Sequence, residues 1–234
     1  MPWRQMWLLA LALMSAPVSC AAGGTSWGVE LGSHYSTFAE VSSTHGARVD
    51  SRLLPAAGVF LDHHLTRDLS LVPALRYTQQ GEKTSWINSA ASLGGVEEVL
   101  EHTVSGGTEI RYRVVRAAFI SICPELSYLI AGSWTREVRS LSTTTQQHDE
   151  DSYAGRSDRW NAVVRAGTGV GWDMCGGKAS ITLRYVRGVN TMTRIVETPV
   201  SQAERNISWT AAPIPLFTSE WRTQGVELLA GFAW

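Results

Sequence analysis

Beyond its first two dozen residues the chain has no apolar run long enough to cross a bilayer as a helix. The longest stretch there without Asp, Glu, Lys or Arg is Asn206 to Ser219, 14 residues broken by Pro213 and Pro215, where a spanning helix needs roughly 20 apolar residues. An excess of charge of either sign is missing as well. The 20 Lys and Arg stand against 21 Asp and Glu, for a net charge of −1, which gives no electrostatic reason to expect nucleic acid. No phosphate-binding loop, zinc-ligand spacing or nucleophile elbow is present, so no catalytic set, cofactor or metal site is expected.

What is present begins with an export signal. Arg4, the apolar run Met6 to Met14 and the small residues Ser19-Cys20-Ala21-Ala22 have the three regions of a secretory leader. The expected division is residues 1–22 as signal peptide and residues 23–234 as a single domain. Cys20 stands where a lipoprotein cysteine would, but Pro17 occupies the place where such signals carry an aliphatic residue. Cys123 and Cys175 remain in the exported part, and in an oxidising compartment two cysteines are expected to pair.

Strict alternation of apolar with polar or small residues marks the strands. From Trp160 to Trp172 one face carries Trp160, Ala162, Val164, Ala166, Thr168, Val170 and Trp172; the other carries Asn161, Val163, Arg165, Gly167, Gly169 and Gly171. Such a strand, at about 3.3 Å per residue and tilted about 40°, covers on the order of 30 Å along a barrel axis. That is too long for a sandwich strand, typically about 5 or 6 residues. Similar alternation runs through Trp27 to Ser36, Leu69 to Thr78, Ile181 to Val186 and Gly225 to Trp234, with weaker strands at Leu53 to Leu61, Ile110 to Ser121 and Leu126 to Arg136. The expected fold is all-β: an eight-stranded antiparallel up-and-down transmembrane β-barrel.

Connections alternate in length. Short links are expected at Asp62 to Asp68, Ile122 to Glu125 and Met174 to Lys178, and long polar ones at Glu40 to Asp50, Gly81 to Thr108, Glu137 to Ser157 and Thr191 to Ser219, as in an outer-membrane barrel with both termini in the periplasm. Pro73 is an irregularity in its strand. With eight strands the interior fills with side chains. The phase of the strands points Glu30, Arg76, Arg165, Arg184 and Glu227 inward, with Arg116 beside them, as a network of paired charges that plugs the lumen. Trp27, Tyr35, Tyr77, Trp160, Trp172 and Trp234 are expected in aromatic girdles at the edges of the apolar band. The same turn assignment puts Cys123 and Cys175 at the periplasmic rim of paired strands, within reach of a disulfide.

The run Gly58 to Gly81, containing Phe60-Leu61-Asp62-His63-His64 and Leu75-Arg76-Tyr77, resembles a hairpin of the outer-membrane β-barrel family related to the OmpA/OmpX-type and PorT-like proteins. Arg184 to Val189 and the ending Gly225 to Trp234 are similar to that family's last two strands. The resemblance implies a bacterial outer-membrane location and carries no catalytic set. Ala74 departs from it, since an acidic residue is expected there.

His34 with Ser33 invites comparison with membrane-embedded lipid hydrolases, but alternate residues of a strand face opposite ways, which leaves His34 a lumen histidine. His63-His64 lacks further metal ligands. His148-Asp149-Glu150-Asp151 reads as a solvated loop face, with ion-bridged lipopolysaccharide as the alternative. Asn206-Ile207-Ser208 matches a glycosylation acceptor that bacterial export leaves unused. The expected function is that of a structural or surface-interaction barrel, in contact with outer-membrane lipid and lipopolysaccharide and binding an unidentified ligand or protein through the second to fourth long loops. A small porin-like channel, a transport- or secretion-associated barrel and a soluble ligand-binding barrel are the alternatives.

Overall fold

The computed structural model describes residues 24–40, 48–88, 93–140, 146–152, 159–174, 176–190, 192–196 and 217–234. These form β1 (Thr25–Glu40), β2 (Arg48–His64), β3 (Leu69–Asn88), β4 (Leu93–Arg113), β5 (Ala118–Ser140), β6 (Gln146–Ser152), β7 (Trp160–Met174), β8 (Gly177–Gly188), β9 (Met192–Val196) and β10 (Phe217–Ala233). The wall is the antiparallel order β1-β2-β3-β4-β5-β7-β8-β10, and β10 pairs back onto β1 to close an eight-stranded barrel. The short β6 pairs with β5 beyond the end of β7, from Ser133↔Ser152 to Arg139↔Gln146, and β9 pairs with β10 beyond β8, so each prolongs a stave of the wall. Closure of β10 onto β1 removes the edges of the eight-stranded wall, which lets a sheet of this length exist without pairing to another chain. Among the described residues no helix is long and apolar enough to cross a membrane.

At one end of the barrel neighbouring strands are joined closely: through residues 65–68, through 114–117, and where Met174 pairs with Gly177. The opposite end carries the connections 41–47, 89–92, 141–159 and 189–216, all but 89–92 longer than the tight turns. The strands reach much further toward that end than their alternation suggests. Most of Gly81 to Thr108, expected as a loop, is the paired hairpin of β3 and β4, in continuous register from Leu69↔Tyr112 to Asn88↔Leu93.

The fourth and fifth strands differ from expectation. Instead of strands at Ile110 to Ser121 and Leu126 to Arg136 with a turn at Ile122 to Glu125, the turn is at 114–117 and β5 runs through Pro124 without interruption. The sequence misleads here because proline is the usual mark of a turn, while the true turn, Val114-Val115-Arg116-Ala117, contains neither glycine nor proline. Pro124 registers instead as a gap in the β4–β5 ladder, which passes from Gly107↔Glu125 to Ile110↔Ile122. Pro73 leaves a similar gap between Phe60↔Ala74 and His63↔Leu71, as expected for a residue without a backbone donor. At the long-loop end, β2 bulges between Ser51 and Ala56 around Pro55. The Ser36 hydroxyl on β1 there donates to Gly81 O and accepts from Gly81 N, both at 2.8 Å, which satisfies the β3 backbone where β2 has moved away. Residues 1–22, expected as a signal peptide, Cys175 and Asn206 lie outside the described residues.

Candidate functional site

The interior is built from the inward alternate positions of the eight staves. Glu30 on β1 is opposite Gly58 on β2, and Gly58 is opposite Arg76 on β3. Because Gly58 has no side chain, Arg76 passes over it to reach Glu30: a Cβ at Gly58 meets the Arg76 and Glu30 side chains at 3.1 Å. Arg76 donates from Nε to Glu30 at 2.5 Å, from Nη2 to Glu109 at 3.0 Å and from Nη1 to Glu125. Arg184 on β8 donates to both oxygens of Glu30 at 3.1 Å and to Glu109 at 2.7 Å. Arg165 on β7 donates to Glu227 at 3.2 Å and to Glu125. Arg111 completes the layer with a 3.1 Å pair to Glu109.

Each of Arg76, Arg165 and Arg184 thus bridges at least two carboxylates, and Glu30, Glu109, Glu125 and Glu227 each touch an arginine. Arg76, Arg165, Arg184 and these four glutamates are all buried. Reciprocal pairing is what allows seven charges to sit away from water, since an unpaired buried ion costs several kcal/mol or more. The planar guanidinium, with five donors, suits such branching better than an ammonium would. The layer spans β1, β3, β4, β5, β7, β8 and β10, seven of the eight staves. His34, on the same row as Glu227 and Arg184, points inward with Nδ1 3.3 Å from Glu227 Oε1. Ser33 faces the other way.

Sequence reasoning missed Glu109 and Glu125. The alternation Glu109-Ile110-Arg111-Tyr112 carries the signal for the first, but the phase is lost when the strand is drawn across the 114–117 turn. Glu125 is hidden because the adjacent Pro124 suggests a turn, whereas β5 runs straight through both. Glu125 is level with Ala74, the position where the family pattern has a carboxylate, since Gly107 is opposite Ala74 on one side and Glu125 on the other; Glu109 is two residues along β4 from Gly107. Ala74 itself packs on the small apolar cluster of Phe60, Val72 and Ala233 below the ionic layer.

Two expected positions differ. Arg116 is not in the lumen; it lies in the 114–117 turn, exposed, because the strand it was assigned to ends at Arg113. Cys123 is not at the rim. It points into the barrel opposite Arg165, buried, with a free thiol 3.6 Å from Arg76 Nη1. Cys175, its expected partner, lies outside the described residues. His63 and His64 face opposite ways, His63 bonded to Thr25 Oγ1 at 2.8 Å and His64 to Ser70 at 2.7 Å. Burial lowers the pKa of His64 at the rim, Asp62 opposes that, and Lys178, Arg113 and Arg111 add to it. Among the described residues no group of three or more His, Cys, Asp or Glu is arranged to hold a metal ion. The backbone of His148 to Asp151 pairs with β5.

The exterior is the inverse of the lumen. Leu61, Leu75, Ile110, Ile120, Ile122, Leu126, Val170, Ile181, Leu183 and Leu228 are each 45% or more exposed, on the outward faces of seven different strands. Aromatic residues bound this belt. At the tight-turn end Trp27 stacks on Trp234 at 4.4 Å, Phe232 meets Trp234 edge-on, and Trp172 is exposed. At the other end Tyr35, Trp160 and Tyr185 are exposed, Trp160 packs on Tyr128 at 4.8 Å, and Tyr77 bonds to His102 at 2.6 Å.

No protein-family model matches the chain. No curated protein matches either. Solved structures do. The attachment invasion locus protein Ail of Yersinia pestis aligns at 11% identity over 91% of this chain and 99% of its own, with a TM-score of 0.38. Neisserial surface protein A aligns at 9% identity over 90% and 97%, with a TM-score of 0.41. The outer-membrane protein OprG of Pseudomonas aeruginosa aligns at 8% identity over 91% and 96%, with a TM-score of 0.46.

Proposed function

We propose that the chain is a bacterial outer-membrane barrel whose ion-plugged interior makes it an anchor, and that its working surface is the set of long connections at one end. The observation that supports this most is the inversion of hydrophobicity: the large aliphatic side chains are exposed on the outside, while the bridged arginines and glutamates are buried inside. A continuous exposed apolar surface of this size is unfavourable in water and marks contact with a membrane. Trp160 and Trp172, at opposite edges of the belt, are separated along one strand by a length that matches about 30 Å of bilayer thickness after tilt. Bilayer lipid covers the belt. Arg187 and Arg222 are exposed just beyond Tyr185 and Val226, where anionic lipopolysaccharide headgroups lie.

The loop end then faces outward from the cell, and an attachment role follows from a rigid scaffold that carries its long connections at that rim. Protease added to intact cells is expected to cut only in the connections between β1 and β2, β5 and β7, and β8 and β10, leaving a barrel that still shifts on gels when heated. A chain that is monomeric and clear in buffer without detergent contradicts this reading.

A further inference from the structure

Below the ionic layer the barrel is open at its tight-turn end. A cavity of about 560 Å³ enters there, within the range of small-molecule sites. Its inner wall is apolar, formed by Phe60, Phe119, Ala179 and Ala233. Arg111 stacks on the Phe119 ring at 4.4 Å and is held by Glu109 and Asp62, so that part of the wall is fixed. The mouth is different. Arg67 on the first tight turn, Arg113 at the end of β4, Arg116 on the second tight turn and Lys178 at the start of β8 line it, together with Asp68 and Asp173. Among the described residues Arg67, Arg113 and Arg116 have no carboxylate within ion-pair distance. The lumen immediately above pairs its charges closely, so these guanidiniums lining one cavity leave an excess of positive charge at its opening.

We propose that this vestibule binds a small organic oxyanion with an apolar body, the body against Phe60 and the carboxylate or phosphate head at Arg113 and Arg116. Guanidiniums receive such heads through paired hydrogen bonds, and a concave apolar wall with a few convergent polar groups is the usual form of a ligand site. The ionic layer closes the inner end, so the ligand enters and leaves by the same mouth. The site is at the opposite end from the proposed attachment surface, and its occupancy does not depend on what the loops bind.

The test titrates the full refolded chain in detergent with phenyl phosphate, inorganic phosphate and 3-phenylpropionate, read by calorimetry. Phenyl phosphate is expected to bind about tenfold or more tightly than inorganic phosphate, the difference coming from burial of the ring. Binding of 3-phenylpropionate assigns the head to either oxyanion, and its failure confines the ligand to phosphates. The double variant Arg113→Gln/Arg116→Gln is expected to lose about tenfold or more in affinity, and Lys83→Gln, on the far end of β3, to lose none. Heat-modified gel mobility checks folding; if the double variant does not fold, Lys178→Gln takes its place, with a severalfold loss expected. Absence of saturation by phenyl phosphate, equal affinity for the two phosphates, or unchanged affinity in the folded mouth variant overturns the proposal. Deletion of the long connections leaves a true vestibule site intact, which separates this result from failure of the attachment reading.

Discussion

Arg76 is the side chain on which the interior depends most, since it alone joins Glu30, Glu109 and Glu125. Methionine fills a similar volume and carries no charge. Arg76→Met leaves the layer with an excess of buried carboxylate, and removing one partner of a buried ion pair costs about 3 to 5 kcal/mol. The urea midpoint of the refolded barrel is therefore expected to fall markedly, and adding Glu109→Gln to recover part of the loss. Additive losses in the double variant show that the two groups do not act together. Gly58 is the residue that sequence reasoning undervalues. It looks like a neutral member of an alternating strand, and its importance is visible only once Glu30 and Arg76 are seen to meet across it. The glutamates show both sides of legibility: Glu30 and Glu227 are readable from clean alternation near the chain ends, whereas Glu125 is hidden next to a proline that looks like a turn.

At the scale of an element, β7 shows how far periodicity carries. Its outward face, Trp160 through Val170 to Trp172, and its inward face, Asn161 through Arg165 to Gly171, are those its alternation gives. An arginine on the outward face near mid-height has to enter hydrocarbon. Val164→Arg or Val170→Arg is expected to lower the stability of the inserted barrel by about 2 to 4 kcal/mol. Folding titrations into lipid vesicles measure this, and an unchanged midpoint reverses the assignment of faces. β4 and β5 show where periodicity stops. Their boundary is set by which residues pair across the ladder, and a four-residue turn at 114–117 without glycine or proline leaves no local mark. The long-loop ends of β3 and β4 are similar. Their alternation weakens beyond Gly81 because both faces there leave the apolar belt, and only the pairing partner keeps them extended.

At the scale of the whole molecule, closure turns separate faces into a lumen and an exterior. Charges from seven strands become one layer only because β1 meets β10, which sets His34 beside Glu227 and Glu30 within reach of Arg184. With that layer intact the barrel is expected to show no stable open steps in planar bilayers, since bridged side chains from seven of the eight staves occupy its narrow interior. Regular conductance at modest voltage supports the channel alternative.

The alternation of apolar and polar residues determined the class of fold, the number of staves and the face of nearly every well-patterned strand, because a period of two is a local property of the chain. The tertiary structure decided the register, and with it which inward charges meet, where the fourth strand turns into the fifth, and why Cys123 lies deep in the barrel while Arg116 stands at its mouth. Those outcomes depend on partners distant in sequence: a residue's face is fixed by its neighbours along the strand, but its height in the barrel is fixed only by the strands beside it.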